Sequence, residues 1–162
     1  MKVVSNSSVL IGLSAINKLD LLHKRFPDGI IIPNAVWYEV VDTGFGLSGS
    51  EQVKKSSWIT LNHIQDRSFA NILEGFLDYG EAEVIALGQE IKADLLLLDE
   101  KSARNAAFRL QYPVLGTVGI LIWAKHMQVI SSLKQELDSL QQKGGFRLSQ
   151  KVYNYAISRV YE

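Results

Sequence analysis

The chain has 162 residues, 47% of them hydrophobic, which is enough for one compact domain that buries most of its surface. Its 17 Lys and Arg balance 17 Asp and Glu, which excludes the global positive field of many nucleic-acid binders, so any polyanion has to be held locally. The sequence has no cysteine, no basic-then-apolar leader and no apolar run of membrane-spanning length, so the expectation is a soluble cytoplasmic protein without disulfides or thiolate metal sites.

Residues 2–4 predict a short apolar strand that ends in Ser5, Asn6, Ser7 and Ser8. These are capping residue types, and a helical pattern follows at once through Val9, Leu10, Leu13 and Ile16. A strand that delivers a polar cluster into a helix start is a place where anions or metal ions gather, although capping alone accounts for Ser7. Leu19, Leu21, Leu22 and Phe26 mark a second short helix, closed by the turn Pro27-Asp28-Gly29. Residues 29–32 read as a buried strand ended by Pro33 and Asn34, and residues 35–41 as the helix that Pro33 introduces. Glu39 is the acid of that helix body and, by composition, a solvated surface residue. Residues 42–50, with Gly44, Gly46 and Gly49, read as a flexible loop. A short helix at 50–55, a brief edge strand at 58–61 and a helix marked by Phe69, Ile72, Leu73 and Phe76 follow.

Residues 80–100 organise the chain. Gly80 supplies a flexible start, Glu81 and Glu83 fall in the first helical turn, and apolar residues then recur at helical spacing. At about 100° per residue, Val84, Leu87, Gly88 and Ile91 form one stripe, with Glu81 inside its arc and Glu83 on its flank. A carboxylate on the buried side of a helix start needs a cation or hydrogen bonds to offset it. Glu81 therefore reads as functional, and Glu83 as an acid that favours the helix N-terminus. The leucines at 95–98 are too few for a helix and fit a strand buried on both faces. Asp99 ends that strand, at the edge where open α/β sheets place their ligands.

Residues 101–110 then predict a helix carrying Lys101, Arg104 and Arg109, and residues 112–115 a further buried strand. Gly116 and Thr117 turn it into a helix at 118–126. Residues 131–143 are amphipathic, with Leu133, Leu137 and Leu140 on one face, and end at Gly144 and Gly145. A last helix at 149–161 turns Val152, Ala156, Ile157 and Val160 inward, leaving Tyr153, Tyr155 and Tyr161 to pack on the core or a partner. Strands alternating with helices imply a three-layer α/β/α fold with a central, mainly parallel sheet. The organisation is one domain over 1–162 with a C-terminal helical extension over 131–162.

Because the carboxyl ends of parallel strands share one edge, Asn6 and Asp99 converge there. Glu81 begins the helix before Asp99, and Glu39 lies on an earlier one. Oxygen-only donors suit Mg²⁺ or Mn²⁺, ions that retain several waters. Such an ion activates water and stabilises charge on a phosphate oxygen, which points to phosphodiester hydrolysis. His23, His63 and His126 form no ligand pair, and no P-loop, dinucleotide fingerprint or nucleophile elbow is present. A phosphoacceptor receiver domain, suggested by residues 95–99, would need an acidic pair after the first strand, where Ser5 and Asn6 stand.

Several segments together resemble a PIN domain of the VapC-like branch, in particular its bacterial group with a Ser-Asn/Asp-x-Ser opening. They are Val3-Val4-Ser5-Asn6-Ser7-Ser8-Val9-Leu10-Ile11, Leu19-Asp20-Leu21-Leu22, Ile31-Ile32-Pro33-Asn34-Ala35-Val36-Trp37-Tyr38-Glu39-Val40, residues 80–87 and 93–104, and Pro113-Val114-Leu115-Gly116-Thr117-Val118-Gly119. The resemblance covers residues 2–148. It implies a metal-dependent ribonuclease with acids clustered around Mg²⁺ or Mn²⁺, the toxin half of a toxin–antitoxin pair with a cognate antitoxin, and a homodimer. By position the four acids fall on Asn6, Glu39, Glu81 and Asp99, with Glu83 as a substitute metal ligand for Glu81. Ser8 matches the small polar residue beside the first acid, and Lys101, Arg104 and Arg147 are placed to hold phosphates. Asn6 stands where most PIN nucleases carry Asp, and its amide oxygen attracts a hard cation less strongly. The alternative is thus a catalytically weakened PIN module that binds RNA or a protein partner without cleavage.

Overall fold

The computed structural model describes residues 1–44, 46–47 and 49–162. Two residues of the predicted loop at 42–50, Phe45 and Ser48, lie outside the described residues.

Short runs of Val, Ile and Leu form five strands: β1 (Val3–Ser5), β2 (Ile30–Ile32), β3 (Ile59–Leu61), β4 (Leu95–Leu97) and β5 (Val114–Leu115). All neighbouring pairs are parallel, in the order β3-β2-β1-β4-β5. Successive strand residues point to opposite faces, and Val3, Val4, Leu96 and Leu97 are all fully buried. Both faces of the sheet are therefore covered by helices, which makes the three-layer α/β/α fold predicted from the sequence. The strand expected at an edge, β3, is at one.

The helices are α1 (Ser7–Ala15), α2 (Asp20–Arg25), α3 (Asn34–Trp37), α4 (Ser50–Lys55), α5 (Ser68–Leu73), α6 (Tyr79–Ile91), α7 (Lys101–Arg109), α8 (Thr117–His126), α9 (Leu133–Lys143) and α10 (Gln150–Val160). α3 continues without a break into a π-helical turn, Tyr38–Asp42. No helix among the described residues is long and apolar enough to cross a membrane.

The chain leaves β1 for β2 on one side and reaches β4 on the other, so strand order switches at β1. At such a switch the connections diverge and open a crevice outside the carboxyl ends of the strands. The register brings Ser5 of β1 level with Leu97 of β4, and the Asn6 amide donates to the Leu97 carbonyl at 3.1 Å. The ends of these two strands, and the residues that follow them, thus emerge side by side.

α6 differs from its prediction in an informative way. It begins at Tyr79, with Asp78 as N-cap and a reciprocal capping box between Asp78 and Glu81. Gly80 is therefore inside the first turn rather than a flexible start. Every residue from Gly80 to Gly88 is buried, because α6 packs on β1 and β4 while α3 and α5 cover its other side. A helix enclosed this way has no solvent flank, and Glu83, assigned to a flank, is only 3% exposed. Gly88 lets the helix approach the sheet, since a Cβ there would lie 2.7 Å from Leu96 Cδ2.

In two other helices some of the apolar residues that marked them face solvent. α5 turns Ala70 and Leu73 inward, with Leu77 buried after it, and leaves Ile72 and Phe76 exposed. α10 buries Ala156 but exposes Val152, and Tyr153 packs against the core instead. The chain's last residue secures α10. The Glu162 carboxylate accepts from the backbone amides of Leu133 and Lys134 at 3.0 and 2.8 Å, from Ser132 Oγ at 3.1 Å, and pairs with Lys125 Nζ at 2.8 Å. Burial alone would raise its pKa, but Lys125 and these donors outweigh burial and hold it at about 2.

Candidate active site

The site is built around the junction of β1 and α1. Asn6 is the N-cap: its Oδ1 accepts from the Val9 amide at 3.2 Å and from Ser8 Oγ at 3.1 Å. With Asn6 satisfying the helix end, Ser7 and Ser8 reach out to acids on other elements. Ser7 Oγ donates to Glu39 Oε2, so Ser7 is not the capping residue that composition suggested. Ser8 Oγ lies 3.3 Å from Asp99 Oδ2. The polar cluster read from the sequence is thus the bridge between Glu39 on one side and Asp99 on the other.

Asp99 follows β4 and is held by the start of α8. Its Oδ1 accepts from the Thr117 amide at 2.7 Å, and its Oδ2 from Thr117 Oγ1 at 2.7 Å. Burial raises the Asp99 pKa, while Thr117, Ser8 and the Arg104 charge oppose that rise. Arg104 Nη1 donates to the Leu98 carbonyl at 2.9 Å. Gly116 permits this packing, since a Cβ there would stand 2.8 Å from Asp99 Oδ1 and 2.9 Å from Arg104 Nη1. Thr117 was read from the sequence only as part of a turn. Its signal is positional: a hydroxyl residue that opens a helix straight after a strand, as Ser7 and Ser8 do after β1.

Glu39 lies on the π-helical turn, an irregularity frequent at functional sites. Its side chain is exposed, as composition suggested, yet it is held by Ser7 and rests against Gly80. A Cβ at residue 80 would come within 2.6 Å of Glu39 Oε1. Glu81, the next residue, is 5% exposed. Burial first, then the Asp78, Glu100 and Glu39 carboxylates, push its pKa up to about 7 against the hydrogen bond from the Asp78 amide. Glu100, which sequence reasoning passed over, belongs to this group of acids.

Glu83, the substitute ligand, sits elsewhere in α6's surroundings. Its Oε1 accepts from Arg67 Nη1 at 2.5 Å and its Oε2 from the Ala35 amide at 2.8 Å. Arg67, just before α5, also reaches Glu74 Oε1 at 2.6 Å and lies 4.9 Å from the centroid of the Tyr79 ring. Sequence reasoning did not single out Arg67, since nothing local marks a lone arginine in a polar loop.

A cleft of about 1060 Å³ runs from Ser8, Asp99 and Glu100 past Lys101 and Arg104 to Phe146, Arg147 and Tyr155. All three cations expected to hold phosphates line it. His23 stacks on Trp58 with ring centroids 5.2 Å apart, a packing role. Among the described residues no group of three or more His, Asp or Glu side chains is arranged to hold a metal ion by itself. The donors gathered at the sheet edge are carboxylate, amide and hydroxyl oxygens, the set favoured by hard cations that keep much of their water.

A family model described as a PIN domain matches residues 2–162 of the chain. The comparison with curated proteins gives no match.

Proposed function

We propose, from the premise that the chain belongs to the PIN-domain family and has its nuclease-type fold, that it is a metal-dependent endoribonuclease of the VapC-like branch. PIN domains bind RNA and generally use divalent metals. The observation that supports the reading is the pair of bridges from the β1–α1 junction, Ser7 to Glu39 and Ser8 to Asp99, with Glu39 lying over Gly80 beside Glu81, whose pKa burial pushes up to about 7.

The residues fit such an ion in their chemistry. A buried carboxyl crowded by other acids gains from a cation beside it, and an ion that keeps several waters needs only one or two carboxylates. Of Glu39, Glu81 and Asp99, one or two would hold Mg²⁺ or Mn²⁺ directly and the remainder through its retained waters, with Asn6 as a neutral oxygen donor. Bound there, the cation would activate water and stabilise charge developing on the scissile phosphate. Ser8 and Thr117 hold the Asp99 carboxylate in one orientation. Lys101, Arg104 and Arg147 bind RNA phosphates along the cleft. The protein acts as the toxin of a toxin–antitoxin pair and as a homodimer, assignments that rest on the sequence resemblance; its cytoplasmic location and its single domain with a helical extension over 131–162 rest on composition, length and helical pattern.

One observation favours a second reading, a module that binds RNA or a protein partner without cleaving. Asn6 lacks the charge of the usual Asp, and its oxygen already accepts two hydrogen bonds. Purified protein, Glu39→Gln and Asp99→Asn, each incubated with Mn²⁺ and mixed RNAs, separate these readings. Cleavage by wild type that both variants lose supports the nuclease. RNA binding without cleavage supports the module, and equal cleavage by all three proteins rejects this site.

A further inference from the structure

We propose that Glu83 is a positioning residue, a strut that sets α3 and its π-helical turn against α6 so that Glu39 reaches Gly80 and Glu81; the functional part of this inference rests on the ribonuclease reading. α3 begins after Pro33, whose side chain caps nothing. The Ala35 amide in its first turn is therefore left for another element to satisfy. Ala35 is only 4% exposed, so the partner has to come from within the protein. That partner is Glu83 Oε2, 2.8 Å away on α6.

The spacing turns this hydrogen bond into a register device. Ala35 and Glu39 are four residues apart, and Gly80 and Glu83 three, so each pair shares one helix face. The two contacts, Glu83 to the Ala35 amide and Gly80 to Glu39, therefore run in parallel across one α3–α6 interface. A shift of α3 along α6 that breaks the first displaces Glu39 from the second. The other Glu83 oxygen is taken by Arg67, which is itself fixed by Glu74 and the Tyr79 ring. Both carboxylate oxygens are thus committed to protein donors in a buried setting, the arrangement of a brace rather than of a ligand held out to a cation.

The test is a double-mutant cycle of Glu83→Ala and Glu39→Ala, read on Mn²⁺ affinity by calorimetry, on RNA cleavage, and on amide exchange. In Glu83→Ala the Ala35 amide should exchange at least about tenfold faster while the Val9 amide, capped by Asn6, is unchanged. Mn²⁺ affinity and kcat should fall about as far as in Glu39→Ala, and the double variant should be no worse than either single one. Multiplying effects in the double variant would make Glu83 act independently of Glu39, as a ligand or a plain stability residue, and would overturn the proposal. So would an unchanged Ala35 amide. If Glu83→Ala does not fold, Glu83→Met, which keeps the length and packing of the side chain but offers no oxygen to the Ala35 amide, is read in the same cycle. If wild type cleaves no RNA, the nuclease reading fails while amide exchange and Mn²⁺ affinity still decide the strut.

Discussion

Glu39 Oε1 occupies the space that any side chain at residue 80 would need: a Cβ on Gly80 would stand 2.6 Å from it. The glycine is helical and lies within the first turn of α6, so a left-handed backbone is not what requires it. What it provides is room for a carboxylate borne by another element to settle over the helix start, next to Glu81.

Gly80→Ala separates folding from function for this reason. In a helix the substitution favours stability by up to about 1 kcal/mol, and the atoms it meets belong to the far end of an exposed Glu side chain rather than to backbone. The melting temperature is expected to hold or rise slightly, while RNA cleavage falls by at least about tenfold because Glu39 is pushed off its position. Melting curves beside cleavage rates check this; full activity in Gly80→Ala would show that the placement of Glu39 is immaterial.

Glu81 gives the apo protein a defined pH dependence. Its pKa rises on folding from the ordinary 4.5 to about 7, so between these values the folded state binds more protons than the unfolded one. Stability contributed by this group is then present below pH 4.5, declines through that window, and is fully lost above 7, by up to roughly 3 kcal/mol. Glu81→Gln should flatten this part of the stability curve and raise the melting temperature at pH 8. Mn²⁺ should stabilise wild type more than the variant there. A wild-type curve that rises across the window would remove the strain assigned to Glu81.

Thr117 is expected to matter through Asp99. Thr117→Val keeps the shape and the backbone hydrogen bond but removes the Oγ1 donor 2.7 Å from Asp99 Oδ2. Leaving a buried acceptor short of a partner costs about 1–3 kcal/mol. Urea unfolding should report that loss, cleavage should fall with it, and Thr117→Ser should restore both. Equal behaviour of the Val and Ser variants would show the hydroxyl to be idle.

The last residue offers a control far from the site. Because the Glu162 pKa is depressed to about 2, its contribution is present above pH 4.5 and vanishes as pH falls through 2. Glu162→Gln should lower stability at pH 7 by on the order of 1 kcal/mol after solvent screening. The gap to wild type should close near pH 2, and Mn²⁺ affinity should not change. A gap that persists in acid would assign the effect to packing rather than charge.

Much of this arrangement was legible because strands and helix starts leave local marks. Four leucines ending in Asp99 fixed a buried strand and its functional end, and the Asn6 cluster announced a strand–helix junction. Glu81 stood out because an acid lay on a buried stripe. Glu83 did not, since reading a helix by its stripe presumes that the opposite face meets solvent, and α6 is enclosed from Gly80 to Gly88. Val152 was misplaced by an inward reading of its stripe, although Ala156, Ile157 and Val160 of the same helix do pack on the core. Glu39 depended on family resemblance, because its importance comes from Ser7 and Gly80, contacts that no periodicity encodes. Arg67 and Thr117 escaped for the same reason: each is defined by a partner distant in the chain.

Asn6→Asp tests the charge count at the centre of the site. Asp caps helices about as well as Asn, so the hydrogen bond from the Val9 amide survives the change. The new carboxylate is buried, however, at a position only 4% exposed and linked through Ser8 to Asp99. Without metal it should cost about 1–2 kcal/mol at neutral pH, since a second negative charge joins a desolvated one. With Mn²⁺ the order reverses: an anionic oxygen holds a hard cation more strongly than an amide oxygen, so the dissociation constant should fall about tenfold, or about 1.4 kcal/mol. Calorimetric titration of wild type and variant with Mn²⁺, paired with unfolding in chelator, measures both halves. Unchanged or weaker Mn²⁺ binding in Asn6→Asp would place the cation away from the β1–α1 junction, and the nuclease assignment would lose the first of its four positions.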